Sequence, residues 1–276
     1  MSLLKAIFLG IFQGITEFLP ISSSGHLVLL QKLFNIDEGN LFFTVMLHFG
    51  TLISIFIVYF KDIVNIISEF IGFIIDLLKN KKVVINNEYR KLGIMIIIGS
   101  IPTALMGILL EDIFESFYNT TIIIGLALIF TGILLWAAEK IKSGKKSIYK
   151  MTVKDALIIG TFQGMAITPG LSRSGSTIVG GLFMGLSKKN ATRFSFLLAL
   201  PATFGASLLE LSKTLTTNSL SGVSFLMVIV GIISSCITGI FAIKFLIKIL
   251  EKGKLYYFSY YVWFLGLIVI LFELIK

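Results

Sequence analysis

The chain has 276 residues, 56% of them hydrophobic and 14% charged, with a mean hydropathy of +0.95 and a formal net charge of +9. A soluble protein of this length needs far more polar surface, so the composition excludes that class and indicates an all-α polytopic membrane protein. The basic residues lie in short segments between apolar stretches, which argues against nucleic acid as a partner, and the single cysteine, Cys236, excludes an intramolecular disulfide.

Residues 3–34 are apolar but broken by Glu17, Pro20 and a run of serines. Lys5 is the only charge before this run and no small-residue cleavage pattern follows, so it is not a convincing signal peptide. Its first helical part is too short to cross a hydrocarbon core of about 30 Å at about 1.5 Å per residue, which predicts a re-entrant helical hairpin. A first span is expected at 41–60. At 63–78, Asn65, Glu69, Gly72 and Asp76 share one helix face opposite a stripe of Ile, Phe and Leu, predicting an amphipathic helix in the membrane interface. Spans follow at 92–110 and 121–138, then a second broken segment at 153–186, then spans at 191–211, 223–243 and 256–275.

Charge orders these elements. Basic clusters occur at Lys79–Lys91, Lys140–Lys154, Lys188–Arg193 and Lys244–Lys254, whereas 110–121 carries Glu111, Asp112 and Glu115 and no basic residue. If both termini are outside and each hairpin returns to its own side, every basic cluster lands in the cytoplasm. Each half, about 1–140 and 151–276, is then a hairpin plus three spans, and an odd span count makes the halves an inverted repeat.

The repeat is written in the sequence itself. GIFQGITEFLPISSSGH (Gly10–His26) and GTFQGMAITPGLSRSGS (Gly160–Ser176) share seven of seventeen aligned residues: Gly10, Phe12, Gln13, Gly14, Ser22, Ser24 and Gly25 match their counterparts 150 residues later. Backbone that breaks at membrane depth survives only when buried in protein or lining a wet cavity. Two such breaks in corresponding places point to a site where the halves meet.

Charged side chains within the membrane are costly, so Glu17 and Arg173, one at each tip, need a reason to be there. A buried ion pair that merely staples the hairpins is one reading. The hydroxyls, glycines and histidine beside them favour a reactive site. At the second tip, Ser172, Arg173, Ser174, Ser176 and Thr177 precede a helix expected from Ile178 onward, so hydroxyls, a guanidinium fork and N-terminal amides converge as an oxyanion cradle would require. An ordinary N-cap explains one of those hydroxyls but not four. At the first tip, Gln13 and Glu17 are four apart on one helix face and could hold a divalent cation or orient water. Ser23 and His26 could act as nucleophile and base, or as nucleophile and support, and the attacking group is Ser23, His26 or water. His48, mid-span, is read first as an interhelical hydrogen-bonding residue.

The motifs QGITEFLPISSSGH (Gln13–His26) and PGLSRSGST (Pro169–Thr177), with GSIPTALMG (Gly99–Gly107), resemble the signatures of the bacterial undecaprenyl-diphosphate phosphatases, also called bacitracin-resistance proteins. The resemblance covers the whole chain. It implies hydrolysis of a C55 polyprenyl diphosphate to the monophosphate lipid carrier of cell-wall synthesis, in the cytoplasmic membrane, with Mg²⁺ or Ca²⁺. It also implies functional roles for Gln13, Glu17, Ser23, His26, Ser172, Arg173, Ser174 and Thr177. The first acidic position of the family pair is Gln13 here, leaving Glu17 as the one carboxylate at the tip. The site is expected to open outward, and a homodimer is compatible with these features. The alternative from another class is a transporter or flippase of polyprenyl phosphate, since broken helices in inverted repeats are the usual construction of secondary transporters.

Overall fold

The computed structural model describes residues 2–33, 41–79, 85, 87–141, 144–217 and 224–275. Among them the chain forms twelve α-helices and no strand. They are α1 (Leu3–Phe18), α2 (Ser23–Leu33), α3 (Leu41–Val58), α4 (Phe60–Leu78), α5 (Glu88–Leu109), α6 (Glu111–Tyr118), α7 (Thr121–Lys140), α8 (Val153–Met165), α9 (Arg173–Phe183), α10 (Lys188–Thr217), α11 (Phe225–Glu251) and α12 (Tyr256–Ile275). The last residue of the first expected hairpin, Phe34, the first of the span at 223–243, and Lys81, Lys82 and Lys142 lie outside the described residues.

Five helices, α5, α7, α10, α11 and α12, are each long and apolar enough to cross a membrane, and α3 with α4 forms a sixth candidate bent by 82°. The bend falls at Tyr59, between the expected span and the expected amphipathic helix. Both broken segments are two helices joined at a Pro/Ser/Gly tip, α1–α2 and α8–α9.

Four details differ from the sequence reading. The helix expected from Ile178 onward begins earlier, at Arg173, because Ser172 caps it. The acidic segment after Leu110 is not a loop but α6, anchored by the buried Phe114. Helices α10 and α11 run further than their apolar windows, to Thr217 and Glu251, because hydropathy marks the lipid-facing length whereas hydrogen bonding continues into polar sequence. The polar face of α4 is also not simply solvated. Arg90 of α5 reaches Glu69 (3.2 Å) and Asp76 (3.0 Å), and Asn87 donates to Glu69 (2.8 Å). The apolar face, with Val64, Ile67, Ile71 and Leu78, is left exposed as a lipid-facing surface would be.

Small residues set the helix packing, as is usual where apolar burial cannot drive association. Helix α1 lies against α11, with Gly10 on the Gly231 carbonyl, and α8 lies against α5, with Gly160 on the Gly99 carbonyl. Each broken segment of one half is thus seated on a span of the other. Gly125 of α7 and Gly266 of α12 face each other's backbone in the same close manner. A buried cluster including Phe18, Ile55, Leu92, Leu135, Ile178, Phe194 and Leu246 draws residues from both halves beneath the two tips.

Candidate active site

The two tips use the same local chemistry. In the second, Ser172 caps α9, its Oγ accepting from the Gly175 N–H at 3.1 Å. In the first, Ser22 Oγ accepts from the Gly25 N–H at 3.3 Å. Ser22 and Ser24 hydroxyls lie 3.4 Å apart, and Ser172 and Ser174 lie 3.3 Å apart. Backbone strain sits at different points: Ser22 adopts φ +69° in the first tip and Gly170 φ +94° in the second. Thr131 of α7 clamps the second tip, donating to the Gly170 carbonyl and accepting from the Ser172 N–H, both at 3.1 Å.

The tips touch each other reciprocally. A Cβ on Gly25 would meet Gly170 Cα at 3.0 Å, and one on Gly175 would meet Pro20 Cβ at 3.2 Å. Gly25 and Gly175 are repeat counterparts, as are Pro20 and Gly170, so the two contacts are the same contact made twice. Ser174 Oγ donates across the junction to the Leu19 carbonyl at 3.3 Å.

Glu17, on the last turn of α1 and 6% exposed, is the hub. One carboxylate oxygen, Oε1, takes the Arg173 guanidinium. The other, Oε2, accepts from Gln13 Nε2 and from Ser23 Oγ, each at 2.7 Å, and His48 Nδ1 lies 3.3 Å away. Ser23 and Arg173 are repeat counterparts, and each opens the second helix of its hairpin. The carboxylate therefore gathers the same position from both halves. Arg173 also donates to Thr203 of α10, two residues beyond Pro201. Gln13 Nε2 lies 2.9 Å from His48 Nδ1 as well, which places His48 at the hub and not merely between helices.

Of the expected phosphate-binding residues, Arg173, Ser174 and Thr177 line a narrow crevice with Glu17, Phe18, Ser195, Phe196 and Ala199. Ser172 and Ser176 are buried in the first turn of α9, where Ser172 is a cap. Thr177 donates to the Arg173 carbonyl (2.8 Å) and contacts Ser195 Oγ (2.5 Å). A roomier cavity, about 390 Å³, lies between Tyr59, Tyr89, Lys188 and Arg193, but Arg193 there is already paired with Asp62 and Glu88. The unusual chemistry belongs to the narrow crevice.

Ser23 and His26 are not bonded to one another. Ser23 is turned to Glu17, whereas His26 Nδ1 faces the Ser22 carbonyl (2.7 Å) and Nε2 faces the Tyr261 hydroxyl (2.7 Å). The spacing of three residues on α2 permits contact across a turn, but the two side chains take different partners, Glu17 of α1 and Tyr261 of α12. Residues that the sequence reading did not single out are Thr131, Ser195, Thr203 and Tyr261. The available signal was a polar side chain inside an apolar span, which marks a residue as constrained without saying what it meets.

A family model described as "Bacitracin resistance protein BacA" matches residues 6–268. The chain belongs to that family. A protein named undecaprenyl-diphosphatase from Alkaliphilus metalliredigens is 53% identical over 276 residues, the full length of both chains. Proteins of the same name from Halothermothrix orenii and Carboxydothermus hydrogenoformans are 45% and 42% identical, each match covering at least 98% of both chains. Family membership and the apolar helices together make this a multi-pass membrane protein.

The residues present do not form a ready cation cage. Among the described residues no three His, Cys, Asp or Glu side chains cluster, and both oxygens of Glu17 are taken by Arg173, Gln13 and Ser23. Gln13 Oε1 is buried without a partner, which supplies one neutral donor where a divalent ion takes six or more.

Proposed function

We infer that this chain is an undecaprenyl-diphosphatase, hydrolysing undecaprenyl diphosphate to undecaprenyl phosphate and phosphate and so recycling the lipid carrier, with bacitracin resistance as the consequence. The observation that carries the mechanism is the Glu17 carboxylate holding Arg173 on one oxygen and Ser23 on the other. The hydroxyl–carboxylate contact has the geometry of a nucleophile and its base. The guanidinium contact supports an anion site there, because a carboxylate already occupies the fork suited to phosphate.

The terminal phosphate takes Arg173 from Glu17 in the crevice that Ser174 and Thr177 line. Glu17 then faces Ser23. As Glu17 accepts the hydroxyl proton, Ser23 Oγ forms a bond to phosphorus and the P–O bond to undecaprenyl phosphate breaks. Arg173 stabilises the charge on the transferring group. Water, giving a proton to His26, then attacks phosphorus; the Ser23–phosphate bond breaks, Ser23 Oγ takes back its proton from Glu17, phosphate leaves, and His26 returns its proton to solvent. No step is assigned to a protein-held cation; Mg²⁺ or Ca²⁺ would be held by the diphosphate and would neutralise part of its charge. The halves form an inverted repeat in the cytoplasmic membrane with both termini and the crevice facing outward. The basic clusters and the reciprocal tip contacts support that arrangement.

The test is phosphate release from C55 diphosphate by detergent-purified protein, set against Arg173→Ala and Ser23→Ala. Loss of release in both supports the reading. Full activity in Ser23→Ala would remove the covalent step, and activity retained in Arg173→Ala would remove the phosphate site.

A further inference from the structure

His26 sits in an environment that uses every polar atom of its ring. Nδ1 lies 2.7 Å from the Ser22 carbonyl oxygen, which only accepts, so Nδ1 carries the hydrogen. In the neutral ring Nε2 is then an acceptor, and the Tyr261 hydroxyl 2.7 Å away is its donor. The two rings are also stacked, with centroids 5.6 Å apart and planes 9° from parallel, while Phe12 closes another side at 5.7 Å. His26 is 5% exposed. Tyr261 comes from α12, 235 residues away in sequence, and its contact with His26 is independent of the Glu17 hub.

We propose that Tyr261 is a positioning residue for His26: its ring fixes the imidazole plane and its hydroxyl holds Nε2 in the acceptor form that can take a proton from water. This rests on the reading of His26 as the base in the second half-reaction. The arrangement follows the logic by which hydrolases orient a catalytic imidazole through the nitrogen that does not react. Here both nitrogens are held, the Ser22 carbonyl choosing the tautomer and the Tyr261 hydroxyl donating to the reactive nitrogen until a shift of the Tyr261 side chain admits the attacking water.

The experiment compares wild type, Tyr261→Phe, Tyr261→Leu and His26→Asn in the full chain, purified in detergent. Steady-state phosphate release from C55 diphosphate is combined with ¹⁵N spectra of histidine-labelled protein. The chain has two histidines, so the His26 resonances are those lost in His26→Asn. Tyr261→Phe keeps the stack and removes one hydrogen bond, so kcat is expected to fall about threefold to tenfold with KM within twofold. The His26 Nε2 resonance should shift while that of Nδ1 keeps its bonded position. Tyr261→Leu should lower kcat further, since the ring plane is freed as well. Unchanged kcat and an unchanged Nε2 resonance in Tyr261→Phe would overturn the proposal while leaving the phosphatase reading intact. If His26→Asn turns over at the wild-type rate, the premise about His26 falls and takes the proposal with it. A shifted resonance without any change in kcat makes Tyr261 a purely structural neighbour, which also overturns it.

Discussion

Glu17→Gln separates the two duties of the hub. The amide keeps the volume of the carboxylate and one accepting oxygen, but it loses the charge shared by Arg173 and Ser23. Removing one member of a buried ion pair costs about 3–5 kcal/mol when the remaining charge is stranded. Arg173 is not fully stranded: its side chain is 22% exposed and it keeps Thr203. With that relief the stability loss should be about 2–3 kcal/mol, the scale of one charged hydrogen bond left unmade. The catalytic loss should be larger, because the amide cannot take the Ser23 proton. A misplaced or absent general base lowers kcat by about 10²–10⁴. KM should stay unchanged or fall, since Arg173 no longer has an internal anion competing with phosphate. The assay is steady-state phosphate release across a substrate series, with thermal melting of the same preparations. A kcat within threefold of wild type, or a loss confined to KM, would refute the assignment of Glu17 as base and leave it a holder of Arg173. The double variant Glu17→Gln/Ser23→Ala should be no slower than either single one, as expected of groups that act as a unit.

Two further outcomes follow from the tips. Gly170→Ala and Gly185→Ala impose the same positive-φ strain, φ +94° and +80°, but only the first drives a Cβ into backbone, 2.5 Å from the Ile124 carbonyl oxygen. Gly185→Ala should therefore cost about 1 kcal/mol and leave turnover intact, whereas Gly170→Ala should lower the melting temperature more and reduce phosphate release. Equal effects would mean that the contact with α7 does not position the second tip. Calcium titrated into substrate-free protein should show no binding tighter than millimolar, because Glu17 has no free oxygen, while turnover should still require the cation. Micromolar binding to the protein alone would show a cage that the present side-chain arrangement lacks.

The sequence by itself determined the class, the spans and the two places where the chain breaks. Long apolar windows can only be membrane helices in a chain so poor in charge, and Pro-Ile-Ser-Ser-Ser-Gly or Pro-Gly-Leu-Ser cannot continue a helix without interruption. It also marked Glu17 and Arg173, because an intramembrane charge is expensive wherever it lies. Those are local properties, readable from each segment alone. What the segments meet is not local. That Glu17 takes Ser23 and Arg173 on separate oxygens, that His48 joins them, and that His26 turns away to Tyr261 depend on how α1, α2, α3, α9 and α12 pack. Helix spacing allowed Ser23 and His26 to meet, and only the tertiary partners, Glu17 for one and Tyr261 for the other, decided that they do not. The α6 helix escaped for the opposite reason. Its eight residues, four of them polar, carry too weak a pattern to outweigh a loop, and it is the burial of Phe114 against the folded protein that holds it. Pattern fixes what a segment is; the close approach of small residues, Gly10 to Gly231 and Gly160 to Gly99, fixes which segments become neighbours.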